Sequence, residues 1–71
     1  MEQLARNLCE AYANAQDREK VVAIHLFGIE HADEISNVSV KELAKRAGIH
    51  ESYATELRKG MNLAKFVALK R

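Results

Sequence analysis

Residues 40–60 constrain this chain more tightly than any other stretch: Val40-Lys-Glu-Leu-Ala-Lys-Arg-Ala-Gly-Ile-His-Glu-Ser-Tyr-Ala-Thr-Glu-Leu-Arg-Lys-Gly60. Val40, Leu43, Ala44 and Ala47 recur at helical spacing and share one face. Ile49, Tyr53, Ala54 and Leu57 do the same further on. Between the two sets stands Gly48, whose missing Cβ permits the left-handed backbone that stops a helix. Two short helices that share a core, with a glycine at the joint, make a helix-turn-helix. Ala44 falls where the helices cross most closely and must be small. Ile49 enters the shared core directly after the turn, and Ala54 and Leu57 hold the second helix against the first. Ser39 caps the first of these helices, and Glu42 three residues later completes a Ser-x-x-Glu capping box.

The 38 residues ahead of Ser39 read as two more helices. The first runs from about Glu2 to Ala15 on a stripe of Leu4, Leu8, Ala11, Tyr12 and Ala15. Cys9 packs beside that stripe as a small apolar residue. Asp17 caps the second helix, from about Arg18 to His31. Val21, Val22, Ala23, Ile24, Leu26, Phe27 and Ile29 make this helix apolar almost all round, so it is either central or covered by another molecule. Gly28 inside it costs roughly 1 kcal/mol relative to Ala, a cost tolerated where another helix approaches closely. Residues 32–38 form a loop from which Ile35 tucks inward. The second helix of the motif starts near His50 or Glu51 and is expected to end at Gly60. Asn62 would then cap a last helix over 61–71, with Leu63, Phe66 and Val67 facing in and Lys65, Lys70 and Arg71 facing out. The alternative is one helix from 51 to 70, on a stripe of Tyr53, Leu57, Met61, Ala64 and Ala68.

The fold class expected is all-α: one domain, a small bundle of four to five helices containing the helix-turn-helix. No proline and no hairpin turn sequence interrupts it, and alternating strand patterns are missing. A domain of 71 residues buries only about 60% of its unfolded-chain surface, which favours dimerisation. The single Cys9 cannot form an internal disulfide, and a cytoplasmic setting is expected. No apolar run approaches the roughly 20 residues of a membrane span. His25, His31 and His50 are not spaced to put two imidazoles on one helical face, so no metal is expected. His25 is expected to be a hydrogen-bonded histidine on a largely apolar helix. No phosphate loop or nucleophile–histidine–acid pattern occurs, so neither a cofactor nor an enzyme activity is expected.

Charge is divided along the chain. Residues 1–38 hold three basic and seven acidic residues, whereas residues 39–71 hold eight basic and three acidic. The positive half contains the helix-turn-helix, and a local basic surface is the footprint of nucleic-acid binding.

Residues 43–60, with their Leu-Ala pair, Gly-Ile turn, Ser-Tyr in the second helix and closing Lys-Gly, resemble the helix-turn-helix of the phage-repressor and Cro-like bacterial regulators. The resemblance covers residues 39–60, under a third of the chain. It implies sequence-specific binding of double-stranded DNA, commonly as a homodimer on a palindromic site. The chain departs from the family at Ala54, where Ile, Val or Leu is usual, and at Thr55, where Ser is frequent. Its leading 38 residues also exceed the single helix such domains often carry there, and fit a variant with its own dimerisation helix. By this resemblance His50, Glu51 and Ser52 open the recognition helix and face base edges, with Thr55, Glu56 and Lys59 further along. Glu51 and Glu56 would accept from cytosine amino groups while repelling phosphate. Lys41, Lys45, Arg46 and Arg58 are the phosphate candidates. Tyr53 is assigned to the core. The rival reading is a protein-interaction adaptor or inhibitor that uses the acidic first half or the apolar second helix.

Overall fold

The structure, a computed structural model, describes residues 1–67. Helix α1 spans Glu2–Asn14, and a 3-10 turn at Asp17–Glu19 leads into α2, Lys20–Glu30. A single helical turn, α3, covers Ala32–Ile35; α4 is Val40–Ala47 and α5 is Tyr53–Leu63. No strand occurs among the described residues, and the all-α bundle stands with five helices. The loop expected over 32–38 is half helical. Ile35 explains this: it is fully buried, and one helical turn carries it inward without exposing backbone. Ser36 and Asn37 then donate their side-chain hydrogens to the Asp33 carbonyl, at 2.7 and 3.2 Å, and end the turn.

Every helix contributes to one core. Leu8, Ile24, Ile35, Leu43 and Leu57 are its largest fully buried side chains, one from each helix. Each such aliphatic side chain contributes about 1.5–3 kcal/mol by leaving water. Leu4, Ala5, Phe27, Val40, Ala44, Ala47, Ile49 and Ala54 complete the core. Among the described residues no charged or polar residue is buried with them. Tyr53 packs on its edge, its ring 5.2 Å from that of Tyr12 in an edge-to-face pair.

The crossing of α2 and α5 corrects the expectation for Gly60. A Cβ on Gly28 would lie 2.6 Å from the Leu57 carbonyl oxygen and 3.0 Å from the Gly60 Cα. A Cβ on Gly60 would strike the His25 carbonyl oxygen. The two glycines therefore let two backbones touch, and α5 runs straight through Gly60 to Leu63. The last helix expected from Asn62 does not form over the described residues, nor does the helix from 51 to 70. Residues 64–66 are a turn, and Leu63, Phe66 and Val67 face outward, Phe66 being 84% exposed. Ala68, Lys70 and Arg71 lie outside the described residues.

Two smaller expectations also change. Asp17 does not cap α2, because a 3-10 turn intervenes and Glu19 occupies the N-cap position. Lys20 serves the preceding helix instead. Its ammonium donates to the carbonyls of Tyr12 and Ala15 at 2.8 and 3.1 Å, and sits 4.3 Å from the Tyr12 ring centre. A cation at the C-terminal end of α1 answers that helix's dipole, whose last turn has no basic residue of its own. Cys9 is exposed rather than packed beside the α1 stripe.

Candidate nucleic-acid interface

The joint between α4 and α5 follows from local chemistry. The Glu42 backbone N–H donates to the Ser39 hydroxyl at 3.2 Å, so Ser39 caps α4 as expected, though only this half of the expected capping box forms. The Glu42 carboxylate accepts from Arg46 Nε at 3.2 Å, one turn along. At the other end Gly48 adopts φ 77°, the left-handed conformation. The N–H of Gly48 bonds the Lys45 carbonyl, and the N–H of Ile49 bonds the Ala44 carbonyl, both at 3.1 Å. That pair of bonds is a Schellman motif, with Ile49 placed to pack on Ala44.

The chain then winds once before α5 begins at Tyr53, three residues later than the earliest start expected from sequence. Tyr53 and Ala54 donate to the carbonyls of His50 and Glu51, each at 3.0 Å. His50 closes this turn. The Ser52 backbone N–H donates to His50 Nδ1 at 3.1 Å, and the Ser52 hydroxyl lies 2.9 Å from the same nitrogen. A nitrogen that accepts from an amide carries no proton, so the imidazole N–H is on Nε2. One ring nitrogen thus fixes the start of α5, and the other keeps a donor.

Lys41, His50, Glu51, Ser52, Thr55 and Arg58 line one open groove between the start of α4 and the outer face of α5, with Ala54 as a further lining residue. Ala54 was expected in the core and is buried, yet it also lines this groove, where a branched side chain would take up space. A neighbouring recess shares Lys41 and Glu51 and adds Lys45. Glu51 lies 3.9 Å from the Lys41 ammonium, both side chains well exposed, so the pair is weak. Among the described residues Lys45 and Arg58 make no ion pair.

Three of the sequence candidates lie elsewhere. Arg46 pairs with Glu42 and lines a recess against α1 with Glu2, Ala5, Arg6, Cys9 and Ala47. Glu56 turns toward α2, where its carboxylate meets His25 Nε2 at 2.6 Å. Its partner helix could not be read from the α5 stripe alone. The hydrogen bond from His25 holds the Glu56 carboxyl below its ordinary value, against partial desolvation and with help from Lys59. Lys59 stays exposed but is drawn toward Glu56, at 3.4 Å. His25 is the hydrogen-bonded histidine that sequence predicted.

Packing, turn geometry and groove together define a helix-turn-helix domain with three further helices, α1, α2 and the short α3, built into its core. The chain belongs to the HTH-like domain family, whose model matches residues 1–70. That match supports the helix-turn-helix and extends the family over nearly the whole chain, where the resemblance reached only residues 39–60; it does not place the chain among the phage-repressor and Cro-like regulators. No curated protein and no solved structure matches the chain. Membership fits a DNA-binding regulator in general. No helix of the described residues is long and apolar enough to cross a membrane.

Proposed function

We propose that this domain binds double-stranded DNA sequence-specifically, as a small transcriptional regulator or as the DNA-reading component of a phage or plasmid system. In this reading α5 enters the major groove. Its 11 residues span about 16 Å, and a groove about 12 Å wide admits such a helix. One observation carries the reading: the sequence candidates at the start of α4 and on the outer face of α5 converge on a single groove. Ser52 and Thr55 offer hydroxyls to base edges. The His50 Nε2–H is a donor suited to guanine N7 or O6, and Glu51 accepts from a cytosine amino group. Arg58, Lys41 and Lys45 neutralise phosphates and hold the register. Glu56 supports α5 from the α2 side instead of reading bases, and Lys59 serves as an outer phosphate contact. A homodimer on a palindromic site, in a cytoplasmic setting, completes the reading.

Titration of a labelled generic duplex by fluorescence anisotropy, at low and moderate salt, tests this. Binding should weaken steeply with salt. It should also weaken in Arg58→Ala, and less in Lys59→Ala. Absence of binding at low salt would sink the reading.

A further inference from the structure

We propose that the turn opening the recognition helix selects a cytosine–guanine base pair, with Glu51 and His50 as the specificity-determining residues. This rests on the DNA reading above and names the base pair which that reading leaves open. A side chain discriminates between bases only if its hydrogen-bonding role is fixed. The hydroxyls of Ser52 and Thr55 donate or accept as the base requires, so they tolerate any base. Lys41 and Arg58 serve phosphates in that reading. Glu51 and His50 differ from all four. A carboxylate only accepts, and with Glu56 turned toward His25, Glu51 is the one carboxylate lining this groove. Its contact with Lys41 is 3.9 Å long, and the Glu51 side chain is 64% exposed, so its oxygens stay open to a base. His50 only donates on its outer side, because the Ser52 amide and hydroxyl occupy Nδ1 and leave the proton on Nε2. The backbone holds the two in register: the His50 carbonyl accepts from the Tyr53 N–H and the Glu51 carbonyl from the Ala54 N–H, each at 3.0 Å. A donor and an acceptor of fixed role therefore stand on consecutive residues where α5 begins.

Major-groove edges decide which base pair such a donor and acceptor fit. Cytosine offers an amino donor with no acceptor beside it, and its guanine offers two acceptors, N7 and O6. Glu51 on the cytosine and His50 on the guanine satisfy both. Adenine also offers an amino donor, but its N7 lies next to it and repels a carboxylate, and the partner thymine flanks its O4 with a methyl group. Exchanging the two residues over either pair sets the carboxylate on O6 or O4, and both repel it. Glu51 also works against generic DNA. It stands 3.9 Å from the Lys41 ammonium, so a phosphate held by Lys41 lies close to a negative charge. That repulsion falls on every sequence, and only a correctly placed amino group offsets it. One carboxylate thus raises specificity without raising affinity.

Selection by the full chain from a duplex pool with a randomised centre, followed by anisotropy titration of the enriched site, tests the proposal. The parent should enrich a cytosine–guanine pair, and replacing that pair with thymine–adenine should weaken binding about tenfold. Glu51→Gln should bind generic duplex about threefold more tightly, the size of one carboxylate–phosphate repulsion across roughly 6 Å of water. Its preference should move from cytosine to adenine, which glutamine reads with two hydrogen bonds. His50→Asn keeps an acceptor for the Ser52 amide and lacks the Nε2–H. It should match the parent in helical circular dichroism and discriminate several-fold less. Generic duplex bound by the parent with no base pair enriched, or the same preference in Glu51→Gln as in the parent, would overturn this inference and leave the DNA reading standing. No binding of any duplex at low salt would overturn the DNA reading and this inference with it.

Discussion

Three glycines in this chain do two different jobs. Gly48 is needed for its backbone angle, φ 77°, and a Cβ there would meet nothing within 4 Å. Gly28 and Gly60 are ordinary in backbone angle and needed for space. Gly48→Ala should therefore cost about 1–2 kcal/mol through backbone strain alone. Gly28→Ala should cost about 1–3 kcal/mol or more, because rigid backbone on α5 must move. Urea denaturation of both variants checks this, and equal stability of Gly28→Ala and parent would contradict the crossing. Ser39→Ala should cost about 1 kcal/mol through the lost cap, read the same way. Glu56 adds a pH dependence. Its folded-state carboxyl ionises below its ordinary value of 4.5, so its share of stability is present above that value and is lost as pH falls through the depressed one. The stability gap between parent and Glu56→Gln should be widest near neutral pH and should close in acid. A gap independent of pH would show that the His25 contact contributes nothing through charge. Gly48 and Ser39 were legible in the sequence because their causes lie within a few residues. Gly60 and Glu56 were not, because the partners that decide them sit on another helix.

At the scale of elements, periodicity recovered four helices and the inward face of α1, α4 and α5, since apolar spacing reflects which side is buried; α2, apolar almost all round, showed no single face, and only Ile24, Phe27 and Gly28 of it are buried. It missed α3, whose single turn is too short to show a period and depends on the burial of Ile35. It also misjudged the chain beyond α5, where Leu63, Phe66 and Val67 repeat at helical spacing but meet no core. The candidate site was legible as a helix face and illegible as a three-dimensional set. A wheel drawn for α4 sets Lys45 beside Lys41 and turns Arg46 about 100° away, but it does not show that α1 approaches Arg46. The pairing decides the expected behaviour. Arg58→Ala and Lys41→Ala should each flatten the salt dependence of DNA binding by about 0.9 in log–log slope, the share of one phosphate contact. Arg46→Ala should leave the slope unchanged. Equal losses in all three variants would mean that general positive charge, and not this groove, attracts the duplex.

At the scale of the whole molecule, the family match covers α1 and α2 as well as the helix-turn-helix. They supply Leu8, Ile24 and Phe27 to its core, anchor α5 through His25, and tie α1 to α2 through Lys20. The result is a small body, 28 × 28 × 20 Å, that presents the groove between α4 and α5 on its surface. Chemical-shift mapping of the isotope-labelled protein during titration with a short duplex tests that account most directly. Shifts should concentrate at Lys41, His50, Glu51, Ser52, Thr55 and Arg58, leaving Glu2–Asn14 largely unmoved. Shifts centred on α1, or none at all at low salt, would contradict it.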